Sequence, residues 1–154
     1  MKRVLIIGGH GFIGRLLYSR LKEKININVN SIDKNIIDLS DKSNIENLRK
    51  IIKLTMPEYI IILAAIKRQD GDSISIKDYN NKITDNISDA LIDQVSRVIY
   101  LSSCAVYGEK NNQTNYTELG LISPTSEYGE HKVYSENIYL NKIIRDNLLI
   151  FRPP

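Results

Sequence analysis

Short apolar runs alternate along the chain with longer segments in which apolar residues recur at helical spacing. The short runs predict five buried β-strands, at residues 4–7, 29–32, 59–63, 98–101 and 148–151. The longer segments predict four helices, at residues 11–24, 43–54, 78–95 and 127–145. Strands and helices that alternate in this way predict an α/β fold, in which a doubly wound parallel sheet carries helices on both faces.

Local signals refine three of these boundaries. Ser43 is expected to cap the second helix and to form a capping box with Glu46, and Pro57 is expected to end that helix. The stripe predicted for the first helix comprises Phe12, Ile13, Leu16, Leu17 and Leu21. Polar segments at residues 67–75 and 107–125 are expected to be loops, and a loop as long as the second is usually functional.

Composition limits the classes of function. A length of 154 residues, with 42% hydrophobic and 25% charged residues, predicts one domain over residues 1–154. The net charge of +3 is spread among acidic residues, so no nucleic-acid partner is expected. The apolar runs are too short for a signal peptide or a membrane span, which leads us to expect a cytoplasmic protein without a membrane partner. Because the chain has one cysteine and two histidines, we expect no intrachain disulfide and no metal site.

A glycine-rich segment, residues 8–14, follows the first strand and opens the first helix. Its pattern is Gly8-x-x-Gly11-x-x-Gly14, with Phe12 and Ile13 inside it. Glycines allow the backbone to approach a pyrophosphate, which then rests on the amide groups at the start of the helix. The context favours a dinucleotide site over a glycine-rich turn without a ligand.

Carboxylates after the second strand predict the adenosine end of that site. Asp33 stands 19 residues past Gly14, where it could bind both ribose hydroxyls and repel a 2′-phosphate, so NAD is expected rather than NADP. Lys34 and Arg15, both nearby, leave the choice between NAD and NADP open. Asp38 and Leu39 could contact the adenine, although simple solvation of this loop is an alternative.

Tyr128 and Lys132 lie four residues apart in the last predicted helix, and therefore on one helical face. A nearby ammonium would lower the pKa of the tyrosine, which could then exchange a proton with a sugar hydroxyl. A serine hydroxyl from Ser102 or Ser103, at the end of the fourth strand, could hold the reacting oxygen. His131 is interpreted as a residue on the helix surface.

These motifs, taken in order, resemble those of the extended short-chain dehydrogenases/reductases, specifically the NAD-dependent epimerase/dehydratase family. The resemblance spans the whole chain and rests on six motifs: the glycine loop, the strand ending in Leu63-Ala64-Ala65, the helix bearing Asn80, Thr84 and Asn86, the segment 102–108, the Tyr128–Lys132 pair, and Phe151-Arg152-Pro153. It implies a Rossmann-type fold that binds NAD and acts on a nucleotide-linked sugar.

The resemblance also implies roles for single residues. Ser103, Tyr128 and Lys132 would be catalytic, and Lys132 would also hold the nicotinamide ribose. Ala64, Ala65 and Asn80 would line the cofactor site. Members of the family often form homodimers through the helices that correspond to residues 78–95 and 127–145.

Departures from the family pattern narrow the expected reaction. Sugar dehydratases carry an Asp-Glu pair after the catalytic serine or threonine, where this chain has Cys104-Ala105, so an epimerase or keto-reductase is favoured. Ile62 replaces a histidine that is common in the third strand. The family's substrate-binding region would follow residue 154, so the chain is expected to be truncated relative to the family. The alternative function is a catalytically inactive NAD-binding module.

Overall fold

The structure is a computed structural model that describes residues 1–66, 70–91, 96–108 and 117–154. Its described part contains one sheet of five parallel strands, in the spatial order β2-β1-β3-β4-β5. The strands are β1 (Lys2–Ile7), β2 (Ile27–Ile32), β3 (Tyr59–Ile62), β4 (Arg97–Leu101) and β5 (Leu148–Phe151). Each lies within two residues of its predicted position, which confirms the parallel α/β fold.

The longer helices are α1 (Phe12–Lys22), α2 (Ile45–Thr55), α3 (Ile74–Ala90) and α4 (Glu127–Lys142). Short 3₁₀ turns occupy Lys42–Asn44, Cys104–Tyr107 and Arg145–Asn147. Helix α3 begins four residues before the predicted start, because the Ser73 side chain accepts a hydrogen bond from the Ile76 amide and caps it. The predicted end of this helix, at residue 95, lies outside the described residues.

The predicted capping box at the start of α2 is wrong. Asp41 begins a 3₁₀ turn by accepting a hydrogen bond from the Ser43 amide, and α2 follows at Ile45. Glu46 forms a salt bridge with Arg49 instead. Helix α2 ends before Pro57, as predicted, with Met56 in the left-handed conformation.

The strand order places the helices on opposite faces of the sheet. Strand β2 lies on one side of β1, and β3, β4 and β5 follow on the other side. Because parallel crossovers are right-handed, α1 covers one face while α2, α3 and α4 cover the opposite face. The main hydrophobic core lies under α2–α4 and includes Leu5, Ile62, Tyr100 and Tyr139, all at most 3% exposed.

Within the described part of the chain, the face that carries α1 is open toward β5. Ile6, Ile61, Ile99 and Leu149 are register partners in one row across four strands, and the outermost, Leu149, is 58% exposed. The predicted buried stripe of α1 is also mostly exposed, with Phe12, Ile13 and Leu16 each at least 49% accessible. Strand β5 forms one edge of the sheet. None of the described helices is both long and apolar enough to span a bilayer.

Candidate active site

The carboxyl ends of β1 and β2 hold the glycine loop. The amides of Gly8 and Gly9 both donate to the Ile32 carbonyl, which ties the loop to the end of β2. Gly8 has φ +97°, and a Cβ on Gly14 would lie 2.3 Å from the Gly8 carbonyl oxygen. The loop therefore requires glycine for its own folding at these two positions.

Two clefts meet at this loop and share Gly8, Gly11, Leu63 and Ala65 in their walls. The larger, of about 760 Å³, is bounded by residues of the glycine loop, β4, the turn after it and α4. The smaller, of about 310 Å³, extends from the loop over the end of β2 toward α3. Together they form one groove along the carboxyl edge of the sheet, where ligands bind in open α/β folds.

The smaller cleft contains the carboxylates predicted for the adenosine end. Asp33 is 8% exposed; its Oδ1 accepts a hydrogen bond from the Asn35 amide at 2.7 Å. Its Oδ2 is buried and makes no hydrogen bond of good angle with the described residues, but His10 Nδ1 lies 2.5 Å from it. Asp38 and Leu39 also line this cleft. The Ser40 amide and hydroxyl donate to Asp38 Oδ1 at 3.0 and 2.6 Å and lower the pKa of that carboxyl.

The larger cleft brings Ser103 together with Tyr128 and Lys132, which lie more than 20 residues further along the chain. Lys132 Nζ lies 5.5 Å from the centre of the Tyr128 ring. The Tyr128 amide donates to Asp72 Oδ1 at 2.8 Å, and the Ser126 hydroxyl accepts from the Gly129 amide and caps α4. The beginning of α4 is thus anchored where it presents Tyr128 to the cleft.

Lys132 was expected to lower the pKa of Tyr128, but in the structure this pKa is raised. Burial raises the pKa of Tyr128, and Cys104 contributes in the same direction. Lys132 does not lower it, because its Nζ donates to the Leu101 carbonyl at 2.9 Å instead of to the phenol. Burial also lowers the pKa of Lys132 to about 8.

The structure distinguishes the two serines at the end of β4. The Ser102 hydroxyl is buried and donates to Glu136 Oε1. Ser103 is half-buried, and its hydroxyl accepts a hydrogen bond from the Ala105 amide at 3.2 Å, which leaves its own proton free to be donated. Of the two, Ser103 is therefore the one whose hydroxyl suits a reacting oxygen.

Two residues support this end of the groove: Glu136, which the sequence analysis missed, and Arg152, which it placed in a motif without giving it a role. Glu136, 2% exposed, accepts hydrogen bonds from Arg152 Nε and Nη2 at 2.9 and 2.7 Å. Arg152 Nη1 also donates to the Tyr107 hydroxyl at 2.7 Å. Glu136 follows Lys132 by one helical turn, and that spacing was the available signal. The network joins α4 to the ends of β4 and β5.

His131 is buried, so its interpretation as a surface residue is wrong. It is 1% exposed in the contact between α3 and α4, with Nδ1 3.2 Å from Asn81 Oδ1. Its Nε2 is buried without a hydrogen-bond partner among the described residues. Burial lowers the pKa of His131 to about 3, and the positive charge of Lys132 adds to this effect.

The other predicted cofactor residues fall into two groups. Those that line the groove are Gly8, Gly11, Phe12, Ile13, Gly14, Ala64 and Ala65. Asn80 lines neither cleft. Its buried amide accepts a hydrogen bond from the Ile66 amide and donates one to the Ile66 carbonyl, so it holds the chain after β3 in place. Over the described ranges, no three His, Cys, Asp or Glu side chains form a group that could hold a metal ion.

The sequence model of the NAD-dependent epimerase/dehydratase family matches residues 4–147. Because the match covers nearly the whole chain, the protein belongs to this family. The glycine loop and the Ser103–Tyr128–Lys132 cluster both lie within the matched residues.

The individual proteins that are similar to this chain share about a quarter of its residues. The chain is 26% identical over 140 residues to GDP-6-deoxy-D-talose 4-dehydrogenase from Aggregatibacter actinomycetemcomitans, a match that covers 88% of this chain and 47% of that protein. Among solved structures, dTDP-4-dehydrorhamnose reductase from Yersinia enterocolitica is similar with a TM-score of 0.79 and 28% identity. That match covers 99% of this chain and 52% of the reductase.

UDP-glucuronic acid 4-epimerase from Bacillus cereus, solved in complex with NAD, is similar with a TM-score of 0.75 and 26% identity, over 97% of this chain and 56% of the epimerase. The chain thus spans about half the length of the relatives it matches.

Proposed function

We propose that the protein binds NAD(H) along the groove and takes part in hydride transfer at a carbon of a nucleotide-linked sugar. The observation that carries the proposal is the arrangement of the groove. A buried carboxylate, Asp33, lies at one end, and Ser103, Tyr128 and Lys132 line the other. The glycine loop lies between them, where a pyrophosphate would sit.

The residues fit a dinucleotide. Asp33 Oδ2 would accept a hydrogen bond from a ribose hydroxyl once the His10 imidazole, whose Nδ1 lies 2.5 Å from it, moves aside. A Cβ on Gly11 would meet only the Gly8 carbonyl, at 3.5 Å, so the loop leaves open space for close backbone approach. Lys132 would hold the nicotinamide ribose. When bound, the nicotinamide supplies or accepts the hydride.

The chain's own residues would move the proton. The Ser103 hydroxyl would donate a hydrogen bond to the substrate oxygen and orient it toward the Tyr128 phenol. Because burial raises the pKa of Tyr128, the phenol is protonated at neutral pH and is prepared to donate its proton to a carbonyl oxygen. This favours reduction of a keto group beside Lys132, whose Nζ lies 5.5 Å from the centre of the phenol ring.

Relatives suggest the substrate class. The three similar proteins are named for GDP-, dTDP- and UDP-linked sugars, and two of them are a dehydrogenase and a reductase. A nucleotide-linked 4-keto sugar is therefore the first substrate to test. Oxidation of NADH, followed by its absorbance, measures turnover.

Tyr128→Phe should reduce turnover by about 10²- to 10⁴-fold, because it removes the proton and leaves the ring in place. The matched control Tyr134→Phe changes a tyrosine on the same helix that bonds Asp85 and should keep near wild-type turnover. Equal turnover in Tyr128→Phe and wild type would contradict the catalytic assignment.

A second candidate is an NAD-binding module without turnover. It is favoured by the contact of Lys132, whose Nζ donates to the Leu101 carbonyl at 2.9 Å and not to the Tyr128 phenol. Saturable NADH binding by the 154-residue chain, together with no turnover of GDP-, dTDP- or UDP-linked 4-keto sugars, would support this function over the first.

A further inference from the structure

The ammonium of Lys132 is a buried charge with little hydrogen bonding. The residue is 4% exposed, and within the described part of the chain its Nζ donates one hydrogen bond, to the Leu101 carbonyl at 2.9 Å. An ammonium can donate three. A buried charge is unfavourable unless neighbouring groups stabilise it, and burial accordingly lowers the pKa of Lys132 to about 8. Neighbouring groups must therefore keep this lysine charged at neutral pH.

The ionisable groups around Lys132 give this charge limited support. Glu136 attracts the ammonium and raises its pKa, but by less than burial lowers it. Both Glu136 oxygens are already bound by the Arg152 guanidinium. His131 carries no charge at neutral pH, because burial lowers its pKa to about 3. The Cys104 side chain lines the same cleft. Counterions alone therefore do not account for the stabilisation of the ammonium.

Two tyrosine rings face the same ammonium. Nζ lies over the Tyr100 ring, 4.9 Å from its centre, and over the Tyr128 ring, 5.5 Å from its centre. A cation within about 6 Å of a ring centre is attracted by the electron-rich face, most strongly in a desolvated position. Tyr128 lines the larger cleft, whereas Tyr100 belongs to the core and is 3% exposed. The two rings therefore approach Lys132 from different elements, α4 and β4.

Tyr100 interacts with Lys132 through its ring and not through a charge. Burial raises the pKa of this tyrosine well above its ordinary value, so the phenol is neutral near neutral pH. Its ring packs against that of Tyr139, with centres 4.8 Å apart and planes tilted by 58°, which fixes its orientation. A phenylalanine in place of Tyr100 would present the same face to the ammonium, and an aliphatic side chain would not.

We infer that Tyr100 is a positioning residue for Lys132, whose ring face holds the ammonium at the wall of the larger cleft and keeps it charged. The ring contact leaves to Lys132 the two N–H groups that the Leu101 carbonyl does not use. In the proposed function these groups bind the nicotinamide ribose, and in this respect the inference rests on that function. The effect of Tyr100 on the charge of Lys132 does not require a cofactor.

The first test measures the pKa of Lys132 from the ¹⁵N chemical shift of Nζ in isotope-labelled protein. The signal is identified by its absence in Lys132→Met. Tyr100→Phe should keep the wild-type pKa of about 8, whereas Tyr100→Leu should have a pKa about 1 lower, because leucine offers no electron-rich face. The same pKa in both variants, or a higher one in Tyr100→Leu, would overturn the inference.

Tyr100→Leu also loses the packing against Tyr139, so circular dichroism verifies its folding. A second measurement does not depend on that variant. In Tyr128→Leu, Tyr100 is the one of the two rings left to shift the Hε resonances of Lys132, and these should remain upfield of those of an exposed lysine. Ordinary Hε shifts in folded Tyr128→Leu would overturn the placement of the ammonium over Tyr100.

Titration with NADH at pH 8 extends the test to the proposed cofactor site. The charged fraction of Lys132 should be about fivefold lower in Tyr100→Leu than in Tyr100→Phe, and NADH affinity should fall by about the same factor. Equal affinity in the two variants would overturn the role of Tyr100 in cofactor binding. Failure of the folded wild-type chain to bind NADH would overturn the proposed function, and the pKa comparison would still decide whether Tyr100 keeps Lys132 charged.

Discussion

The buried Glu136 and the partly buried Arg152 form a two-point ion pair that fastens α4 to the edge of the sheet. The guanidinium donates from Nε and Nη2 to the two carboxylate oxygens, and Ser102 donates to one of them as well. The pair raises the pKa of Arg152, so the guanidinium stays protonated. Because Lys132 lies one turn before Glu136, the pair also fixes the helix segment that presents Lys132.

Loss of this pair should destabilise the fold strongly. Glu136→Gln leaves the Arg152 charge without its counterion in a largely buried position, and should lower the free energy of unfolding by about 3 kcal/mol. Glu23→Gln, which removes a carboxylate from the exposed Arg20–Glu23 pair, is the matched control and should change it by less than about 0.5 kcal/mol. Urea denaturation measures both. Similar values for the two variants would show that the buried pair contributes little.

Two substitutions in the glycine loop distinguish an effect on folding from an effect on ligand binding. Gly14→Ala should cost about 2 kcal/mol or more, because its Cβ would overlap the Gly8 carbonyl. Gly11→Ala should change stability by less than about 0.5 kcal/mol, because its Cβ meets no atom closer than 3.5 Å.

NADH affinity of Gly11→Ala should nevertheless fall by about tenfold, because the methyl group enters the shared wall of the two clefts. Fluorescence titration beside urea denaturation tests this. Unchanged affinity in Gly11→Ala would place the pyrophosphate elsewhere.

Because His131 is buried, the free energy of unfolding should decrease as the pH falls below 6.5. Its folded-state pKa of about 3 lies below the ordinary value of 6.5. Between these values the unfolded chain binds a proton that the folded protein does not, so the stability present above pH 6.5 declines as pH falls. One such group should account for about 2 kcal/mol between pH 6.5 and pH 5.

His131→Gln should therefore show a shallower decline of the unfolding free energy over this range than the wild type. His10→Asn changes the only other histidine, which is exposed, and should keep most of the wild-type slope. Urea denaturation at several pH values provides the comparison. An unchanged slope in His131→Gln would mean that the histidine takes up its proton in the folded state.

Substitutions of two neighbouring leucines in β5 test which face of the sheet is exposed there. Leu149→Lys should cost less than about 1 kcal/mol and should reduce binding of a hydrophobic dye, because Leu149 is 58% exposed on that face. Leu148→Lys should cost about 2 kcal/mol or more, because Leu148 packs against the core on the opposite face. Equal costs would contradict the assignment of the two faces.

Hydrophobic periodicity predicted the five strands and four helices because those elements are defined by local sequence. It could not predict which helix face is covered, since that depends on the rest of the sheet. Leu16 has the spacing of a core residue but is 61% exposed. The capping box failed for a local reason, because Asp41 caps a 3₁₀ turn just before the helix.

The sequence predicted those parts of the site whose backbone conformation is determined by a local motif, such as the glycine loop. Tyr128 and Lys132 were found from their spacing, but the pKa of Tyr128 depends on burial, which the sequence does not give. The contact between His10 and Asp33 joins two loops that are 23 residues apart, and no local pattern indicates it.

The central claim is that NAD(H) occupies the groove with its nicotinamide end at Lys132. Titration of NADH with the folded wild-type chain and with Lys132→Met tests it most directly, with circular dichroism to verify folding. We expect saturable binding at one site, and a loss of about tenfold or more in Lys132→Met, which loses its hydrogen bonds to the ribose. Absence of saturable binding by the wild type, or equal binding by Lys132→Met, would contradict the claim.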